Sequence, residues 1–213
     1  MSERFPGYDV LAKRHTPSWN EKTRRVIDQR LALPREPRFF TEEEWQTLEA
    51  ICARIVPQPK TRPLVAVAAL IDAKLFRHQG DGYRDHRLPP IDDAWRRGIS
   101  ALEAEAHRIA NVAFHRLDVA EQEALLRACQ EGQLVDPAWR GMDSALFFSK
   151  RLLPDIVKAY YGHPIAWNEI GFGGPASPRG YVRMDFDRRD PWEAAEAKPG
   201  DESEAARKNA HVG

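Results

Sequence analysis

Cysteine is nearly missing from this chain: there are two, Cys52 and Cys129, far apart in sequence. That scarcity excludes a disulfide-dense secreted scaffold, and no CxxC or Cys/His cluster offers a zinc or iron–sulfur site. At apolar helical positions the two read as small buried hydrophobes, with a bridge between them as the open alternative. Net charge is missing as well, since 32 basic residues balance 32 acidic ones. A neutral chain has no electrostatic footprint for nucleic acid or an anionic membrane surface. A long hydrophobic run is also absent. The longest, around "LVAVAALI", falls far short of a bilayer span. The start "MSERFPGYDVLAKRH" has no apolar stretch of the kind that opens a secretory signal. Arg24-Arg25 precedes a segment with Asp28 and Arg30, which reads as an amphipathic helix and not as a twin-arginine signal. The expectation is a cytoplasmic protein.

What the 213 residues do contain is helical periodicity. A first helix is expected within Ser18–Leu33, ending before Pro34. Thr41 with Glu44 forms a capping box, and Trp45, Leu48, Ile51, Cys52 and Ile55 then line one face. "LVAVAALIDAKLF" is apolar around most of its circumference and should be the most buried helix. Asp92 is expected to cap a long helix reaching Leu117. Asp118 and Glu121 form a second capping box, with Gly132 closing that helix. A last helix should run from about Asp143 to Tyr161, kinked or split by Pro154. Only "YVRMDF" hints at a strand. The predicted fold is all-α, a bundle of five to six helices. Its parts are an N-terminal extension with one helix (1–38), a helical core (39–161), an extended Gly/Pro/aromatic-rich arm (162–194) and a flexible tail (195–213) lacking large apolar residues.

Catalytic and ligating constellations are sparse. His78, Asp81, Asp85 and His86 share one loop and supply metal-ligand chemistry without a recognised spacing. They carry the alternative reading, an autonomous metal-binding protein or enzyme; a solvated loop is the plainer one. His107, Asn111 and His115 follow at four-residue steps and read as a polar helix stripe. Acid clusters such as Glu42–Glu43–Glu44 sit where they favour a helix dipole. Ser177 lies outside any GxSxG elbow, and the "GFGGP" glycines follow no strand, so neither a nucleophile nor a phosphate cradle is indicated.

The arm is the conspicuous feature. Residues 160–194 hold seven aromatic side chains among five glycines and four prolines. An irregular segment this apolar must bury its rings against its own bundle, against a second protein, or partly against each. Tyr, Trp and Arg dominate interface energies. Trp167, Phe172, Arg179, Tyr181, Arg183 and Trp192 are therefore the partner-binding candidates.

Three stretches carry a resemblance. "YYGHPIAWNEIGFGGPASPRGY", the earlier "FFTEEEWQTLEAICARIVPQP" and "ALFFSKRLLPDIVKAYYG" together resemble the gluconate 2-dehydrogenase subunit 3 family over about residues 39–185. The resemblance implies a non-catalytic, chaperone-like small subunit that binds no cofactor itself. Its expected partner is a large FAD-dependent flavoprotein of the glucose-methanol-choline type, which oxidises a sugar or sugar acid and often passes electrons to a cytochrome. Family members are associated with a twin-arginine signal. This sequence shows none, so a periplasmic location is expected only if a partner carries the chain there.

Overall fold

The computed structural model describes residues 3–60, 62–184 and 186–212. The fold is all-α: nine α-helices and no strand occur among the described residues. The chain divides into two compact units. One comprises residues 34–160, the other residues 1–33 together with 161–213.

Residues 34–160 hold α2 (Glu42–Ile55), α3 (Val67–Phe76), α4 (Ile91–Ala110), α5 (Val119–Gln130) and α6 (Ser144–Phe147). A π-helical turn (Phe148–Leu152) then leads into α7 (Leu153–Tyr161), whose last residue falls in the other unit. Both capping boxes form: Thr41 and Asp118 each accept the backbone N–H of a glutamate three residues on, and that glutamate reaches back. Leu48, Ile51, Trp95, Ile99, Leu102, Phe147 and Leu152 are sealed from solvent. Phe147 meets Trp95 and Trp139 edge-on, at 5.9 and 5.8 Å between centroids. Cys52 and Cys129 are free, buried thiols. Burial pushes the Cys129 thiol up to about 12.

Gly98 shows how tightly this core is filled. A Cβ added there would stand 2.1 Å from the Phe147 ring. Alanine in mid-helix normally gains about 1 kcal/mol over glycine, but overpacking a filled core costs about 1–3 kcal/mol. Gly98→Ala is therefore expected to lower stability by about 1–2 kcal/mol in urea denaturation. Unchanged or raised stability would mean that the Phe147 ring yields without cost.

The interior also holds an unanticipated acid. Asp72, in the most apolar helix of the sequence, is buried. Its carboxylate accepts the backbone N–H groups of Arg38, Phe39 and Phe40 at 2.9–3.1 Å, satisfying the chain as it enters α2.

Several expectations need correcting. The long helix α4 stops at Ala110, because Asn111 adopts a left-handed φ of 55° and caps it. His115 falls instead in a 3₁₀ turn (Phe114–Arg116), so the polar stripe is not one helix face. Asp92 is not the cap but a first-turn acid; Pro90 precedes the helix. The last helical rod is interrupted at a π-helical turn rather than broken at Pro154, which sits at the second residue of α7. The π-helical turn just before it widens the backbone where the proline lacks an N–H.

The second unit gathers both ends of the chain. A 3₁₀ turn (Val10–His15), α1 (Glu21–Leu31), α8 (Pro164–Ile170) and α9 (Glu202–Asn209) belong to it. Phe5, Tyr8, Val10, Trp19, Ile27, Trp167 and Val212 form one buried cluster. The arm thus begins as a helix, started by His163 and Pro164 and closed by Gly171 at φ 64°. The segment expected to be a flexible tail holds α9, with acids in its first turn and bases in its last. Polar anchoring replaces the missing apolar residues. Asn209 donates to the carbonyls of Pro6 and Ala195, both at 2.9 Å, and accepts from Ala195 N–H at 2.7 Å.

Candidate functional site

The predicted arm residues part company in three dimensions. Trp167 is interior, its indole N–H donating to the Tyr161 carbonyl at 2.7 Å. Phe172 stands half-exposed and edge-on to it, at 5.4 Å. The "GFGG" glycines serve this packing. A Cβ on Gly171 would lie 2.5 Å from the Phe5 ring, and one on Gly174 would lie 2.9 Å from Trp167. Both adopt left-handed φ values, so glycine is required twice over. Gly171 and Gly174 thus pack against rings, while a Cβ on Gly173 would lie 3.0 Å from Lys13 Nζ.

Beyond Gly174 the chain becomes a surface loop. Arg179 lies over the Trp192 ring at 4.3 Å, and its Nε–H donates to Ser18 Oγ at 3.3 Å. The Tyr181 hydroxyl donates to the Gly174 carbonyl at 3.2 Å. The base of the loop is pinned by acids. The buried Asp190 carboxylate accepts the Met184 N–H at 3.0 and 3.2 Å. Glu193 accepts from Arg183 at 3.1 Å and from the Asp190 N–H at 2.9 Å. Arg189 donates to the Glu193 carbonyl. Burial alone would raise the Glu193 carboxyl; these N–H donors and the arginine charge prevail and hold it low.

The pinned base leaves four large apolar side chains facing water. Tyr181 is 73% exposed, Val182 71%, Met184 73% and Phe186 91%. Val182, Met184 and Phe186 were missed as candidates. Their signal was "YVRMDF", whose alternation suggested a strand; no strand forms there among the described residues. Arg183 is exposed and Trp192 half-buried under Arg179. Of the six predicted contact residues, the structure gathers Phe172, Arg179, Tyr181, Arg183 and Trp192 around one cavity and takes Trp167 into the core.

The histidine loop does not assemble. Asp81 accepts from Lys74 at 2.7 Å and from Arg151 at 2.8 Å. Burial would raise its carboxyl, but these two cations hold it at about 2. Asp85 is taken by Arg87 through two side-chain hydrogen bonds at 3.0 and 2.7 Å. His78 pairs with Asp92 at 3.2 Å, and His86 is exposed. Among the described residues no three His, Cys, Asp or Glu side chains converge to hold a metal. The carboxylates that the alternative metal reading needed are engaged by arginines and a lysine.

The fold and surface define a class: an all-α protein with a densely filled helical core and a loop of exposed apolar side chains. The family model described as gluconate 2-dehydrogenase subunit 3 matches residues 42–174, and the chain belongs to that family. No curated protein and no solved structure shows significant similarity to it. The match covers the helical unit and ends at Gly174; the exposed loop lies beyond it.

Proposed function

We propose that this chain is a non-catalytic accessory subunit of an FAD-dependent dehydrogenase of the glucose-methanol-choline type, acting on a sugar or sugar acid. Its role is to bind and stabilise the flavoprotein subunit, which carries the FAD; a cytochrome is the natural electron acceptor of such a complex. Family membership supports a subunit of a dehydrogenase complex. The observation that carries the docking role is the run of four exposed apolar side chains on a loop pinned at its base. A pre-shaped apolar loop loses little conformational entropy on docking. The sequence from 181 to 190 has three arginines and three aspartates. That balance favours a protein groove with a mixed polar rim over an anionic lipid surface. In this reading the complex works in the cytoplasm, or in the periplasm if the partner carries the chain.

The test is affinity purification of the chain from its native host, followed by an absorbance spectrum and identification of the co-purifying chains. A yellow complex containing a large flavoprotein is expected. A colourless, lone chain at endogenous levels would overturn the subunit reading.

A further inference from the structure

Beside the exposed loop lies a cavity of about 760 Å³, built wholly from the unit that holds both chain ends. Its volume falls in the range of small-molecule pockets. Three of its four lining acids are engaged. Asp190 and Glu193 accept backbone and arginine donors, and Glu196 accepts from Arg4 at 2.7 Å. Its cations are less engaged. Arg179 uses only Nε, toward Ser18, and its terminal nitrogens meet no partner among the described residues. Arg188 makes no ion pair among the described residues, and Asp187 is the one lining carboxylate that accepts no hydrogen bond among them.

The Arg179 guanidinium carbon lies 4.3 Å from the Trp192 ring centroid and its hydrogen bond runs through Nε, which leaves the terminal N–H donors for a ligand. A further positive charge lies behind. Lys13 is buried and donates to the Trp192 carbonyl at 2.6 Å and the Gly173 carbonyl at 3.3 Å. Burial, and then the charge of Arg179, push Lys13 down to about 8. An anion in the cavity would relieve that repulsion.

We propose that this cavity binds an organic molecule through a carboxylate or phosphate group, held on the donor edge of Arg179 with Arg188 as second cation and Trp192 as the apolar wall. The family match stops before these three residues, so the site is additional to the family's core. It stands whether or not the loop docks on a flavoprotein.

The test uses the purified full chain in isothermal titration at constant ionic strength, with inorganic phosphate, phenyl phosphate and benzoate as probes and chloride as reference. Saturable binding is expected, tighter for the aromatic probes than for inorganic phosphate. Arg179→Gln and Arg188→Gln should each weaken it about tenfold, the loss of one charge-assisted hydrogen bond. Arg25→Gln, an exposed helix arginine paired with Glu21, should leave it unchanged. Arg188 has no ion-pair partner among the described residues, so its variant tests the site even if Arg179→Gln disturbs the fold. Equal affinity for inorganic phosphate and phenyl phosphate would keep the oxyanion site and assign it to free phosphate. Heats matching chloride, or full binding in both variants, would overturn the proposal.

Discussion

Asp155→Ala is expected to remove about 3–5 kcal/mol of stability, a large part of the roughly 5–15 kcal/mol that holds a typical domain together. The carboxylate is buried in α7 and joins three elements. It accepts the Trp95 indole N–H at 2.9 Å, Lys74 at 3.2 Å and Arg151 at 3.2 Å. Arg151 is itself buried, so the alanine variant leaves a desolvated guanidinium with Asp81 as its remaining carboxylate partner. The indole N–H is orphaned in the same step. Taking one of two carboxylates from a buried guanidinium and orphaning a buried indole N–H together set the magnitude. Asp155→Asn should lose less, because the amide oxygen still accepts from Trp95. Urea denaturation of both variants decides the matter, and an alanine variant within about 1 kcal/mol of the parent would show the network to be dispensable.

The same network has an acid limit. Asp81 has its carboxyl held at about 2, below the ordinary value near 4. A depressed carboxylate stabilises the fold fully above the unfolded value, and that contribution fades as pH falls through the folded one. The contribution of Asp81 is therefore complete above about pH 4 and lost toward about pH 2.

Met184→Ser with Phe186→Ser is expected to weaken binding to the proposed flavoprotein partner about a hundredfold or more while leaving stability within about 0.5 kcal/mol of the parent. Neither side chain makes a polar or ring contact among the described residues, and both are largely exposed, so the fold has little to lose. A central apolar anchor in an interface is worth about 2 kcal/mol or more, and each 1.4 kcal/mol is about tenfold in affinity. The Met184 backbone N–H, which holds the loop to Asp190, survives the substitution. Equilibrium titration against the purified flavoprotein and thermal denaturation of the free variant give the two readings. Undiminished affinity with an intact fold would remove the loop from the interface. Lost stability would show that these side chains pack in the free chain.

Much of the helical unit was legible. The capping boxes at Thr41 and Asp118 and the three-to-four spacing of Trp45, Leu48 and Ile51 are local signals, and the helices start and face where those signals place them. The resemblance was legible too, because its motifs lie within continuous stretches. The Asp155 network was not. Its partners Lys74 and Trp95 stand 81 and 60 residues away, and nothing local marks one aspartate as buried.

The sequence by itself determined that this protein is helical, where most of its helices begin, and that residues 160–194 carry more aromatic surface than a loop can leave to water without reason. Tertiary structure alone decided which rings that surface keeps. Trp167 goes inside because Phe5, Trp19 and Val212, from the far ends of the chain, close around it. Phe186 stays outside because Asp190 and Glu193 tie the loop base through backbone N–H groups and leave its tip no core to enter. α9 is helical against expectation for a related reason: Asn209 finds the carbonyls of Pro6 and Ala195. Burial is a property of non-local company, and a sequence pattern read in short windows records only the residue, not the company it will keep.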